Sequence, residues 1–110
     1  MVPQALNEQL IGEAQRIFAS LGDASRLRIL RALLDAGSPL SQGALAEATG
    51  LSQPNASKHL SHLLSVGLVT RERQGNTVMF AAVTPVVPVV CEVISRHVTQ
   101  RVTQVYESLQ

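Results

Sequence analysis

The sequence is poor in aromatic residues and in cysteine. Its 110 residues include one tyrosine, two phenylalanines, no tryptophan and one cysteine. Leucine, valine, isoleucine and alanine must therefore build the core. The single cysteine excludes both an intrachain disulfide and a zinc finger with several cysteine ligands, and it suits the reducing cytoplasm.

Long apolar runs and strong charge are also missing. No stretch approaches the roughly 18 consecutive apolar residues that a membrane span needs, and residues 1–14 lack the basic region and apolar run of a signal peptide. We therefore expect a cytoplasmic protein with no membrane partner. The net charge of +1 excludes a strongly polyanionic partner that is bound through the overall charge of the protein. It allows a small DNA-binding protein whose positive groups are concentrated locally.

The spacing of apolar residues predicts a single, mainly helical α+β domain over residues 1–110, with the element order α-α-α-α-β-β-α. Helical spacing runs over about 5–21 and resumes after Asp23, which is placed to cap a second helix. Ser41 and Ser52 are placed to cap a third and a fourth helix. Over about 68–83 the periodicity changes from about 3.6 to 2, and two such runs around a glycine turn predict a β-hairpin. A last helix is predicted over about 87–109. Four leucines of the second helix should face inward: Leu27, Leu30, Leu33 and Leu34.

Residues of about 42–66 have the spacing of a helix-turn-helix. Ala46 and Ala56 are small where two helices cross closely, and Gly50 lies at the sharp turn between them. In this motif the N-terminal end of the second helix enters the major groove of DNA. We expect that end to expose side chains that can bind base edges or phosphates: Ser52, Gln53, Asn55, Ser57 and Lys58.

The predicted hairpin carries further candidate DNA contacts, namely Arg71, Arg73, Gln74 and Asn76. A two-stranded projection with these groups at its tip is a wing that can reach the DNA backbone or the minor groove. The alternative interpretation is a solvated loop that merely avoids exposing apolar side chains. The hairpin follows directly after a helix-turn-helix, and this position favours DNA contact because phosphate contacts dominate affinity in such interfaces.

Three stretches resemble the arsenic-repressor (ArsR/SmtB) family of bacterial winged-helix repressors. They are LGDASRLRILRALL (21–34), LSQPNASKHLSHLLSVGLV (51–69) and RERQGNTVMF (71–80). The resemblance covers roughly residues 15–83. It implies a homodimer joined through the first and last helices, a palindromic DNA operator, and release from that operator by an inducer. The apolar stripes of both helices independently require a partner surface.

The inducer is often a metal in this family, but both familiar metal sites are depleted here. Ser41 and Gly43 stand where a cysteine pair would begin the third helix. At the site on the last helix the resemblance assigns Thr84, Val86, His97 and Gln100, of which only His97 is a plausible ligand. We therefore predict neither familiar metal site and no certain cofactor. A non-standard site between subunits that uses His97 remains an alternative.

Cys91 is the remaining sensor candidate. It lies in the apolar stripe of the last helix, so it is either a small buried residue at the dimer interface or a thiol that reacts with sulfur or oxidant species. Nothing nearby in the sequence clearly promotes the thiolate. Both interpretations stay open.

A transcriptional repressor is the leading functional prediction. A winged-helix module that binds protein is the alternative, and its binding would be insensitive to salt, whereas DNA binding weakens steeply as salt rises. An enzyme is not expected, because the sequence shows no nucleophile with a base, no paired carboxylates and no phosphate-binding glycine loop.

Overall fold

The computed structural model describes residues 6–110; Ala5, at which the predicted first helix begins, lies outside these residues. The predicted order α-α-α-α-β-β-α is confirmed, with one additional two-residue strand before the third helix. The elements are α1 (Glu8–Leu21), α2 (Ala24–Ala36), β1 (Leu40–Ser41), α3 (Gln42–Thr49), α4 (Gln53–Ser65), β2 (Val69–Gln74), β3 (Thr77–Ala82) and α5 (Val86–Ser108).

Polar side chains cap the N-termini of the first four helices. The side-chain oxygens of Asn7, Asp23, Ser41 and Ser52 each accept a hydrogen bond from the backbone N–H three residues later, at 3.0 to 3.2 Å. Each cap satisfies an amide that the helix leaves without an internal partner. The caps therefore fix where each helix begins, including the start of α4.

Gly67 turns the chain from α4 into the hairpin. Its φ of +75° is a left-handed conformation that L side chains rarely adopt. The N–H of Leu68 donates to the carbonyl of Leu63 at 3.0 Å, and that of Gly67 donates to the carbonyl of Leu64 at 3.1 Å. This pattern closes the helix end and sends the chain directly into β2.

The three strands form an antiparallel sheet in the order β1-β3-β2. Phe80 lies in the middle of this sheet, opposite Leu40 on one side and Arg71 on the other. Gln74 pairs with Thr77, so the hairpin turn consists of two residues that begin with Gly75, whose φ is +63°. The prediction missed β1, because two residues are too few to show an alternating pattern.

The core lies between α2, α3, α4 and the sheet. Its buried apolar side chains include Ile29, Leu30, Leu33, Leu45, Leu60, Leu63, Leu68, Val69, Phe80 and Val87. One inward prediction was wrong: Leu27 is 45% exposed. Its side chain lines an open groove between α1, α2 and α5 instead of packing in the core. Among residues 6–110, no helix is both long and apolar enough to cross a membrane.

Leu63→Ala should lower the free energy of unfolding by about 2–5 kcal/mol, because it removes a fully buried side chain and leaves a cavity. Leu64→Ala is the matched control, since the neighbouring Leu64 is only half-buried. Urea unfolding followed by circular dichroism measures both variants. Equal losses at the two positions would contradict the packing described here.

Candidate nucleic-acid interface

Helices α3 and α4 cross closely because small side chains lie at their contact. Ala46 and Ala56 are both buried. Between them Gly50 has a φ of +72°, and the N–H of Leu51 donates to the carbonyl of Ala46 at 3.1 Å. The sharp turn places the N-terminus of α4 beside the N-terminus of α3.

The first turns of α4 expose most of the predicted reading residues. Ser52, Gln53, Asn55 and Lys58 are exposed, while the opposite face of the helix buries Ala56, Leu60 and Leu63. Ser57 differs from the expectation of full exposure: it is half-buried, since it lies one turn from the buried Leu60. Four of the five predicted contact residues are therefore exposed, and Ser57 lies at the edge of this polar surface.

The side chain of Gln42 is hydrogen-bonded to Gln53. The side-chain Nε2 of Gln42 donates to the Gln53 side-chain Oε1 at 3.1 Å and to its backbone carbonyl at 3.2 Å. Sequence reasoning missed Gln42, because the two glutamines are eleven positions apart and belong to different helices. A polar residue at the first position of α3 was the only available signal.

His59 brings α4 close to the N-terminal cap of α2. Its Nδ1 lies 4.0 Å from the carboxylate Oδ1 of Asp23, and this nitrogen is buried. The hydrogen bond from the backbone N–H of Arg26 lowers the pKa of Asp23, so the carboxylate stays ionised at neutral pH. Helix α4 thus lies against an anionic cap.

The hairpin presents two different faces. In the strand pairing, Arg71 lies opposite Phe80 and Arg73 lies opposite Val78. Both arginines therefore project from the same face of β2 as the buried Val69. Gln74 lies on the other face, where its Nε2 donates to Glu72 at 3.0 Å. Of the predicted wing residues, the two arginines carry the positive charge, Gln74 already has an anionic partner, and Asn76 is exposed at the tip.

Cys91 lies in the groove between α1, α2 and α5, which has a volume of about 830 Å³ and is mostly apolar. The thiol is half-buried against the core, and this burial raises its pKa. A raised pKa lowers the fraction of reactive thiolate at neutral pH. The environment of Cys91 therefore favours packing over high intrinsic reactivity.

His97 lies on the exposed part of α5, beside Glu92, Arg96 and Gln100. The Nη2 of Arg96 donates a hydrogen bond to the carboxylate Oε1 of Glu92 at 2.7 Å. Throughout the described part of the chain, no three side chains of the metal-binding types come together. Glu92 and His97 thus line the same surface depression, but within the described residues no third side chain of these types joins them.

A helix-turn-helix followed at once by a two-stranded wing defines the winged helix-turn-helix class. A family model described as a helix-turn-helix domain matches residues 21–72. The chain is also 31% identical to HlyU from Vibrio cholerae, with a TM-score of 0.69 over 81% of this chain and 92% of HlyU. The chain belongs to the ArsR family of winged-helix transcriptional regulators, whose members are DNA-binding regulators and not enzymes.

Two further relatives are similar over large parts of the chain. The homodimeric winged helix-turn-helix domain of a possible ArsR-family regulator from Mycobacterium bovis is 28% identical, with a TM-score of 0.73 over 91% of this chain and 95% of that domain. The regulator KmtR of Mycobacterium tuberculosis is 32% identical over 78 residues, which are 71% of this chain and 58% of KmtR. The chain spans less than two thirds of the length of the curated relatives it matches.

Proposed function

We propose that this protein is a cytoplasmic transcriptional repressor that binds a palindromic DNA operator as a homodimer and leaves it when an inducer binds. The observation that carries the proposal is the division of α4 into a buried back and an exposed polar front. A helix held in this way presents its N-terminal side chains to a major groove without disturbing the core.

The charges beside the reading face support this proposal. Lys58 lies on the exposed side of α4, and Arg71 and Arg73 share one face of the wing. These cations lie in the part of the chain that would contact the DNA backbone, so a net charge of only +1 is compatible with phosphate binding. A protein-binding module would not require this arrangement, and its binding would show little dependence on salt.

The last helix supports the homodimer. Its stripe of apolar residues starts in the core with Val87, continues through the half-buried Cys91, and then becomes exposed at Ile94, Val98 and Val102. Every residue from position 92 to 110 is exposed in the single chain. A long exposed apolar stripe on a small protein marks an interaction surface. Helix α1 exposes Ile11 and Phe18 as well, so both predicted dimerisation helices offer apolar surface.

The inducer site is proposed at Cys91, with thiol-reactive sulfur or oxidant species as the inducer. The support is the position of the thiol between the core and the proposed dimer face. An added sulfur or oxygen atom there would alter the packing of both surfaces at once. Because burial raises the pKa of this thiol, its reaction should be slow at neutral pH and faster as the pH rises.

Gln53→Ala and Ser57→Ala should each weaken specific DNA binding by about 1–3 kcal/mol for every good hydrogen-bonded base contact that the substitution removes. Ser65→Ala, at the far end of α4, is the control and should bind like the unchanged protein. Fluorescence anisotropy on the DNA upstream of the protein's own gene measures all three, over a series of salt concentrations. Unchanged affinity in both reading-face variants would show that another surface binds the operator.

Val98→Glu should dissociate the homodimer, because it places a charge in the middle of the apolar stripe of α5. Thr103→Glu is the matched control, since residue 103 lies on the opposite side of the same helix. Sedimentation velocity distinguishes monomer from dimer. A Val98→Glu protein that stays dimeric while Thr103→Glu dissociates would place the interface on the other face.

Treatment with polysulfide should release the protein from operator DNA when Cys91 is present and leave the Cys91→Ser variant bound. Anisotropy of the reduced protein, the treated protein and the treated variant tests this directly. Release that also occurs in the variant, or no release in either protein, would show that Cys91 is not the inducer site and has a packing role only.

A further inference from the structure

Gln42 and Gln53 form a contact between the two helices of the DNA-binding motif. One amide nitrogen, Nε2 of Gln42, lies within hydrogen-bond distance of both the side-chain oxygen and the backbone oxygen of Gln53. We infer that Gln42 positions Gln53 for base recognition, so that the two residues together set the base preference at one position of each half-site. This inference rests on the proposed function and deepens it.

The hydrogen bond fixes which atoms of Gln53 remain available. Its Oε1 has two acceptor positions, and the bond from Gln42 uses one of them. The second acceptor position and the Nε2 donors are left for DNA. An acceptor and a donor on one amide match the N6 amino group and the N7 atom of adenine in the major groove. The base pair that Gln53 reads should therefore be A·T, with adenine as the contacted base.

Gly43 leaves the space that this arrangement needs. A Cβ atom at residue 43 would lie 3.3 Å from the Nε2 of Gln53, which is closer than nine in ten such contacts, so the Gln53 amide would have to shift by a few tenths of an ångström. The backbone of Gly43 is helical and has a negative φ, so its conformation does not require glycine. The close approach of the Gln53 amide is thus a physical reason for glycine at this position.

A second role for the bond must be separated from the first, because Gln42 also links α3 to α4 through the Gln53 backbone. If that link alone mattered, losing it would weaken binding to every DNA sequence equally. Positioning the side chain has a different consequence. A free glutamine must lose rotamer freedom when it binds a base, whereas a glutamine already held by Gln42 has lost part of that freedom.

The test measures base preference as well as affinity. The full chain is titrated with four duplexes that differ only in the base pair whose preference disappears in Gln53→Ala. The unchanged protein should prefer adenine there by about 5- to 150-fold. Gln42→Ala should reduce that preference by about 2- to 12-fold. In a Gln53→Ala background, the same substitution should change the preference no further.

Two variants control for effects on folding. Gly43→Ala should keep or raise the thermal stability, since alanine is the better helix former, yet it should reduce the adenine preference by displacing the Gln53 amide. Gln100→Ala, an exposed glutamine on α5, should change neither property.

Two results would overturn the inference: an unchanged adenine preference in Gln42→Ala, or an equal loss of affinity for all four duplexes. If the unchanged protein bound none of the duplexes and no operator DNA, the proposed function would be wrong, and this inference, which rests on it, would be wrong as well.

Discussion

The burial of one face of α4 is the constraint on which the rest of the structure depends. Ala56, Leu60 and Leu63 pack into the core, and the small Ala56 lets α3 approach closely. Once this face is fixed, the opposite face and the N-terminal turn must be exposed. The left-handed Gly67 then leads the chain straight into the wing, so α4 and the two wing arginines are held by one packed unit.

The same apolar stripe of α5 connects the core to the outer surface. It begins with the buried Val87, passes the half-buried Cys91, and continues along a helix that the single chain leaves exposed. In the proposed homodimer, a second copy covers this continuation, so the spacing of the two reading helices would follow from the packing of α5. A modification at Cys91 would act at the junction between the core and that interface.

Much of this arrangement is local and could be predicted from the sequence. Capping residues such as Asp23 and Ser52 act on amides three residues away, so the sequence itself places the helix starts. Features that depend on packing between elements could not be predicted. Strand β1 exists only because it pairs with β3, and Gln42 meets Gln53 only after α3 and α4 cross. The exposure of Leu27 likewise depends on how α1, α2 and α5 surround the groove.

Selection of binding sites from a pool of random duplex DNA tests the central claim most directly, because it requires no knowledge of the operator. If two copies of α4 read DNA as a symmetric pair, the enriched sequences will contain an inverted repeat whose half-sites are about one helical turn apart, roughly 10 base pairs from centre to centre. Enriched sequences without two-fold symmetry, or no enrichment over the starting pool, would contradict the account.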